Sequence, residues 1–173
     1  QRTVVDAVIA LTHEVDMAQR PKRMVSPLFM DVKGAFDNVS KHRLLRTLQT
    51  LGLPDAVLKW TDHFLSERRA GMAFDGTRED MRPVTTGIPQ GSPMSSILFL
   101  LYLRPLFDEL EQKLPVAWCP SYVHDVALVV TGKSLAINCR ILEKGAKVVL
   151  DWAVKNAVKF DDDKSELIHL YTS

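Results

Sequence analysis

The chain has 173 residues, 46% hydrophobic and 25% charged, and 22 basic against 21 acidic residues give a net charge of +1. This balance is typical of one soluble globular domain and excludes a disordered chain, a collagen and a coiled coil. The longest apolar run, residues 97–103, is too short to span a membrane. Because the chain is almost neutral, we expect any nucleic-acid function to come from local sites, or from other parts of a larger protein, rather than from an overall positive charge.

Cys119 and Cys139 are too few for a disulfide framework or a zinc site, and they are typical of reduced thiols in an intracellular protein. No signal peptide is evident, so we expect a cytoplasmic or nuclear location. The chain begins with Gln1 inside a predicted helix, which indicates an excised piece or a processed product.

Hydrophobic spacing and cap residues predict five helices, which lie at residues 3–20, 40–51, 54–69, 95–110 and 134–153. Strands are predicted at Met24–Val32 and Leu167–Tyr171, and hairpins at 70–85, turning at Asp75-Gly76, and 116–131, with its tip at His124-Asp125. The acidic run 161–163 is interpreted as a turn. Pro27 argues against a central position for the first strand. A basic cluster of Arg20, Lys22 and Arg23 closes the first helix.

Hairpins mixed with helices predict an α+β fold over residues 1–173, with an antiparallel sheet and helices packed on one face. Asp31 ends the apolar first strand, where an unpaired carboxylate is costly unless it binds a cation or is well hydrogen-bonded. The alternative is that Asp31 only caps the strand or pairs with Lys33 or Arg43.

Two further segments are candidates for function. Residues 85–93 form a loop rich in glycine and proline before an apolar helix, so its backbone can approach a ligand closely and the helix N-terminus favours anionic groups. The alternative is an ordinary strand-to-helix loop. Tyr122-Val-His124-Asp125 lies at a hairpin tip, where a polar pair is either functional or simply solvated.

Together, the strand ending in Asp31, the loop with Pro89-Gln90-Gly91 and the hairpin Tyr122-Val-His124-Asp125 resemble the palm domain of reverse transcriptases, nearest to the non-LTR (LINE-like) retrotransposon branch. The resemblance places motif A at 28–39, motif B at 85–96, motif C at 120–130 and motif D at 158–170. It implies a polymerase palm with the fingers largely and the thumb missing, and RNA-directed DNA polymerase as the family activity.

In that family a primer hydroxyl attacks a dNTP at two Mg²⁺ ions (or Mn²⁺) held by carboxylates on neighbouring strands. The resemblance implies catalytic roles for Asp31, Asp125, His124 at the position of a family aspartate, and Lys164 as a proton donor near the leaving pyrophosphate. It assigns the metal to Asp31, Val32 and Asp125. It assigns nucleotide binding to Val32, Lys33, Gly34, Ala35, Phe36, Gln90 and Gly91. Phe36 falls at the steric gate that favours dNTP over rNTP.

His124 is the departure from this family, whose motif C reads Tyr-x-Asp-Asp. Imidazole suits zinc, copper or nickel better than Mg²⁺, so weak Mg²⁺ binding is expected. Losing one preorganised group costs about 2.7–4 kcal/mol, which slows the reaction on the order of 10²–10³-fold. Asp125 could substitute in part, but strand alternation turns its side chain to the other face unless the turn bends it back.

The resemblance implies an RNA or DNA template-primer and a dNTP as partners, with no membrane. We expect a reverse-transcriptase-like palm domain derived from a non-LTR retrotransposon, with weak or absent polymerase activity. One alternative is an active RNA-directed DNA polymerase when the chain is part of a full-length protein. The other is a catalytically dead interaction module, which forms a dimer or binds a protein through exposed apolar faces.

Overall fold

The computed structural model describes residues 4–19 and 23–170, which include two compact units. Residues 34–103 form one unit, and the described residues on either side of them form the other. The helices are α1 (Val4–Gln19), α2 (Lys41–Thr50), α3 (Asp55–Leu65), α4 (Pro93–Lys113) and α5 (Leu135–Asn156). The strands are β1 (Met24–Val32), β2 (Arg69–Ala70), β3 (Ala73–Phe74), β4 (Thr77–Arg78), β5 (Arg82–Pro83), β6 (Ala117–Trp118), β7 (Ser121–Tyr122), β8 (Asp125–Gly132) and β9 (Phe160–Leu167).

An antiparallel sheet organises the unit that contains β1. Its strand order is β6-β8-β1-β9, and β7 also pairs with β8. Strand β1 is apolar because it is central, and its pairing with β8 runs unbroken from Met24 opposite Gly132 to Asp31 opposite Asp125. The predicted bounds of β1 are confirmed.

Helix α5 covers one face of this sheet. Gly145 on α5 leaves space for Leu128 of β8, where an added Cβ would lie 2.7 Å from the leucine side chain. The buried amide of Asn138 donates from Nδ2 to the carbonyl of Met24 at 3.1 Å and to Ser26 Oγ at 2.9 Å. These contacts fix α5 on the sheet, as the predicted α+β arrangement requires.

Helix α1 adds a second layer on the opposite face. Its Ala18 is buried with Val25, Ala127 and Val129, which alternate with the residues that face α5. The prediction of helices on one face is therefore incomplete, because it did not include this layer. Of the predicted basic cluster, Arg20 and Lys22 lie outside the described residues, as do Thr3 and Tyr171, which end predicted elements.

Several predicted boundaries differ from the structure. The run 161–163 belongs to β9 rather than to a turn, and β9 ends at Leu167, where the predicted strand began. Pro27 is accommodated in the central strand because it lies opposite Ile168, just beyond the end of β9. Its carbonyl accepts from the Ile168 N–H, and the sheet requires no backbone N–H from residue 27 at that position. Helix α3 stops at Leu65 rather than near residue 69.

The unit of residues 34–103 contains α2, α3 and two short hairpin ladders. Ser40 caps α2 as predicted, its side chain accepting from the Arg43 N–H at 3.4 Å. The predicted turn at Asp75-Gly76 is also confirmed: both residues have positive φ, at 48° and 76°, between the paired residues Phe74 and Thr77. Among the described residues, we find no helix long and apolar enough to cross a membrane.

Candidate active site

Three aspartates lie in one row across the sheet. Asp31 on β1 is directly opposite Asp125 on β8 and, on its other side, opposite Asp161 on β9. Residues that pair directly across antiparallel strands project their side chains on the same face. The Asp31 side chain is only 14% exposed, so its charge lies in a partly desolvated position at the end of the central strand.

His124 lies in the two-residue turn between β7 and β8. Tyr122 pairs with Asp125, so the tip is Val123-His124, and Val123 adopts a φ of +54°. The His124 carbonyl accepts from the Val32 N–H at 3.2 Å, which holds the turn against the end of β1. The predicted tip at His124-Asp125 was therefore displaced by one residue.

This turn brings three donor groups together. His124 Nε2 lies 3.8 Å from Asp31 Oδ1 and 3.9 Å from Asp125 Oδ1. One ligand atom from each of the three residues lies within 4.8 Å of the other two. Neither ring nitrogen makes a hydrogen bond, because these distances are too long and Nδ1 is buried without a partner among the described residues.

Strand alternation predicts that Asp125 turns away from Asp31 unless the turn bends it back, and in the structure Asp125 lies on the same face as Asp31. Because His124 is in the turn and Asp125 begins the strand in register with Asp31, the two carboxylates share one face.

Lys164 reaches Asp31 from a bulge in β9. Phe29 pairs with Glu166, and Asp31, two residues later, pairs with Asp161. Between these two pairs β9 therefore contains three more residues than β1 does. Lys164 Nζ donates to Asp31 Oδ2 at 2.8 Å. The hydrogen bond and the charge of Asp31 raise the pKa of Lys164, and the charges of Asp161 and Asp125 add to this shift. Lys164 is consequently a weaker proton donor while it is paired.

A cavity of about 330 Å³ adjoins the carboxylates within the same unit. Asp31, Asp125 and Lys164 contribute to its wall, and most of the remaining lining is apolar, including Leu11 of α1 and Phe29 of β1. The three charged groups therefore form the polar border of an otherwise largely apolar cavity.

The other unit joins the loop after β1 to the loop before α4. The Gly87 N–H donates to the Val39 carbonyl at 2.9 Å, and the Ile88 N–H donates to the Phe36 carbonyl at 2.7 Å. Gln90 Nε2 donates to Asp37 Oδ1 at 2.9 Å. These bonds make one framework of the predicted motif A turn and motif B loop.

Arg68 supports this framework from the segment after α3. Its Nη2 donates to the carbonyls of Thr86 and Gly87, both at 2.7 Å. The backbone of Arg68 also accepts from the Val84 N–H at 2.8 Å. This role of Arg68 was not predictable from the sequence, because an arginine after a helix carries no local signal of a contact eighteen residues away.

The predicted nucleotide-binding residues are divided between the two units. Val32 and Lys33 extend from β1, where the Lys33 N–H donates to the Lys159 carbonyl at 2.8 Å. The remaining residues belong to the other unit and are Gly34, Ala35, Phe36, Gln90 and Gly91. Phe36 packs its ring at 5.6 Å from that of Phe99, and Gly34 and Gly91 have positive φ, at 57° and 82°.

Comparison with known proteins agrees with this geometry. The family model for reverse transcriptase (RNA-dependent DNA polymerase) matches residues 2–172. The chain belongs to the reverse transcriptase family. Its relatives come from non-LTR retrotransposons, so the predicted LINE-like type is confirmed.

Two relatives come from Drosophila melanogaster. A putative 115 kDa protein in the type-1 retrotransposable element R1DM is 35% identical over 121 residues, covering 70% of this chain and 11% of the relative. The RNA-directed DNA polymerase from mobile element jockey is 26% identical over 153 residues, covering 85% and 16%. This reverse transcriptase domain thus spans less than a fifth of the length of either relative.

Solved telomerase structures share the fold. Telomerase from Candida tropicalis, truncated from its C-terminal domain, superposes with a TM-score of 0.70 at 12% identity, covering 98% of this chain and 35% of that one. Telomerase from Candida albicans, in complex with a TWJ fragment of telomeric RNA, gives 0.70 at 14% identity, covering 99% and 31%. The predicted palm-like α+β fold is confirmed.

Proposed function

We propose that this reverse transcriptase domain carries a nucleotidyl-transfer site for RNA-directed DNA synthesis, and that His124 weakens the site. The observation that carries the proposal is the direct pairing of Asp31 with Asp125, with His124 beside both carboxylates. Family membership supports the reaction class, and the pairing of the two carboxylates supports the choice of residues proposed to perform it in this chain.

The donor groups fit a divalent cation. Two carboxylates share one face of the sheet, and the third donor is an imidazole with neither nitrogen hydrogen-bonded. Asp31, His124 and Asp125 would hold the ion, and the Val32 carbonyl is a further predicted ligand from β1. A bound divalent ion lowers the pKa of an attacking hydroxyl and stabilises charge on the transferred phosphoryl group.

Family resemblance assigns the positioning of the nucleotide to Lys164 and to loop residues of the other unit. Lys164 is 65% exposed and already lies on Asp31, so it can exchange that carboxylate for a phosphate oxygen without being moved from a buried position. Phe36 would serve as the steric gate, and Gln90 and Gly91 would border the incoming dNTP. The template-primer is the proposed nucleic-acid partner, and the RNA bound to the related telomerase supports it.

Replacing a carboxylate by an imidazole removes one negative charge from the site. The family uses carboxylates there to balance positive charge on the metal, and neutral imidazole supplies no such balance. We expect the native chain to react on the order of 10²–10³-fold more slowly than a chain with aspartate at residue 124, equivalent to about 2.7–4 kcal/mol.

The test is addition of one dNTP to a DNA primer on an RNA template, with Mg²⁺ and, separately, with Mn²⁺. The native chain is compared with His124→Asp and with the double variant His124→Asp, Asp31→Asn. We expect His124→Asp to be the fastest and the added Asp31→Asn change to abolish extension. Equal rates for the native chain and His124→Asp would contradict the weakening. Extension that survives Asp31→Asn, or no product from His124→Asp, would contradict the site.

A second candidate, a protein-binding module without chemistry, is favoured by exposed apolar side chains. Phe74 next to the hairpin turn is 86% exposed, and Met72 and Met81 of the same hairpin segment are also exposed. Exposed apolar side chains of this size are typical of a surface that another polypeptide covers. Light scattering of the native chain, compared with Phe74→Ser, distinguishes a dimer from a monomer. A monomeric native chain that captures no protein partner would count against this candidate.

A further inference from the structure

We infer that the Asp31, His124 and Asp125 cluster selects a first-row transition-metal ion over Mg²⁺. The inference names the ion of the proposed nucleotidyl-transfer site and in that sense rests on the proposed function. Metal binding is nevertheless measured without nucleotide or nucleic acid, so the two can fail separately.

The chemistry of the donor set points to this ion class. Mg²⁺ prefers oxygen ligands and retains water, whereas imidazole nitrogen is a good ligand for Zn²⁺ and other late first-row ions, and affinity rises from Mn²⁺ through Co²⁺ to Cu²⁺. His124 presents Nε2 to both carboxylates, and that nitrogen makes no hydrogen bond that an ion would have to displace. The cluster thus offers two carboxylate oxygens and one imidazole nitrogen, and zinc binds donors of both types.

The spacing of the donors agrees with this choice. Ligands at about 2.0–2.2 Å from an ion lie about 3.4 Å apart at a tetrahedral centre, but only about 2.9 Å apart as neighbours at an octahedral one. Nε2 lies 3.8 and 3.9 Å from the two carboxylate oxygens, nearer to the wider spacing. A small inward shift completes a tetrahedral arrangement, whereas neighbouring octahedral positions require a shift of almost 1 Å.

The charge at Asp31 also disfavours Mg²⁺. Lys164 Nζ binds Oδ2 of Asp31, while Oδ1 faces His124. The ammonium therefore compensates one of the two carboxylate charges in the donor set, and neutral imidazole adds none. Because Mg²⁺ binding depends mainly on accumulated negative charge, the site attracts it weakly. Coordination by a nitrogen does not depend on that charge to the same degree.

The experiment measures metal binding by the intact chain, freed of metal by a chelator and carrying no histidine tag. Co²⁺ is titrated by its visible absorption, and Mn²⁺, Zn²⁺ and Mg²⁺ are titrated by calorimetry. We expect one Co²⁺ per chain, displaced by Zn²⁺ and not by Mg²⁺ at equal concentration. Replacing a residue that only hydrogen-bonds to a metal ligand weakens metal binding about 10–100-fold. His124→Ala removes a ligand itself, so it should weaken Co²⁺ binding by about 100-fold or more.

Two variants make the outcome specific. His124→Asp should reverse the preference, weakening Co²⁺ and strengthening Mg²⁺ binding, because it restores an all-oxygen, more negative donor set. His63→Ala, which removes an exposed histidine in the other unit, should change neither. Circular dichroism checks that each variant is folded. Co²⁺ binding that is unchanged by His124→Ala, or Mg²⁺ binding as tight as that of Mn²⁺, would overturn the inference. A failure of primer extension alone would contradict the proposed function but would not overturn this inference.

Discussion

Gly87→Ala tests the framework that joins the motif A turn to the motif B loop. Gly87 has a φ of +77°, and a Cβ added there would lie 2.8 Å from the carbonyl oxygens of both Phe36 and Asp37. Gly91, in the same loop, has a similar φ of +82°, but nothing lies within 4 Å of an added Cβ. The pair separates backbone strain from steric overlap.

The left-handed conformation costs an alanine about 1–2 kcal/mol, and this applies to both variants. At Gly87 the added methyl group must also displace the backbone carbonyls of Phe36 and Asp37. Two hydrogen bonds join the loops at this point, from the Gly87 N–H to the Val39 carbonyl and from the Ile88 N–H to the Phe36 carbonyl. Weakening two such bonds costs about 0.5–1.5 kcal/mol each. We expect Gly87→Ala to lower the free energy of unfolding by about 3 kcal/mol and Gly91→Ala by about 1 kcal/mol.

Thermal unfolding followed by circular dichroism measures this difference. Since 1 kcal/mol shifts the Tm of a chain of this size by about 2–4 °C, Gly87→Ala should unfold several degrees below Gly91→Ala. Urea unfolding provides a second measure. Equal losses in the two variants would refute the steric contact between the loops.

Three further predictions concern other parts of the chain. Asn138→Ala removes the buried amide that donates to acceptors of β1 and β8, so it should destabilise the chain by about 2–3 kcal/mol, measured by urea unfolding; an unchanged midpoint would contradict that. Burial raises the pKa of Cys119 to about 11 from 9.0, so at pH 8 its alkylation, followed by mass spectrometry, should be about 100-fold slower than that of an ordinary thiol. Arg68→Met removes two hydrogen bonds to backbone carbonyls, so hydrogen exchange of the amides of residues 86–91 should accelerate. Arg68→Lys should restore only part of the protection. Unchanged exchange in Arg68→Met would refute the claim that Arg68 holds this loop.

Local signals predicted part of the fold well. The bounds of β1, the Ser40 cap and the turn at Asp75-Gly76 depend on short segments whose residue types suit one conformation. Strand β9 gave no such signal. Residues 161–164 are all charged, so they show no alternation of polar and apolar residues. They form a strand because β9 pairs with β1, with a bulge between the paired segments.

The sequence singled out candidate residues for the site but did not predict how they are arranged. The motif order drew attention to Asp31, His124, Asp125 and Lys164. Their relative positions depend on the pairing register of the strands. A shift of the register by one residue moves the side chains to the other face of the sheet. Asp161 was missed for the same reason, since only the pairing of β9 with β1 places it beside Asp31.

The central claim is that Asp31, His124 and Asp125 form one cation site. The most direct test is diffraction from crystals soaked in Mn²⁺, with anomalous data collected to locate the ion. We predict a peak within about 2.3 Å of Asp31 Oδ1, His124 Nε2 and an Asp125 carboxylate oxygen, with Lys164 still near the other oxygen of Asp31. A peak that contacts only carboxylates and leaves His124 aside, or an ion bound elsewhere on the chain, would contradict the claim.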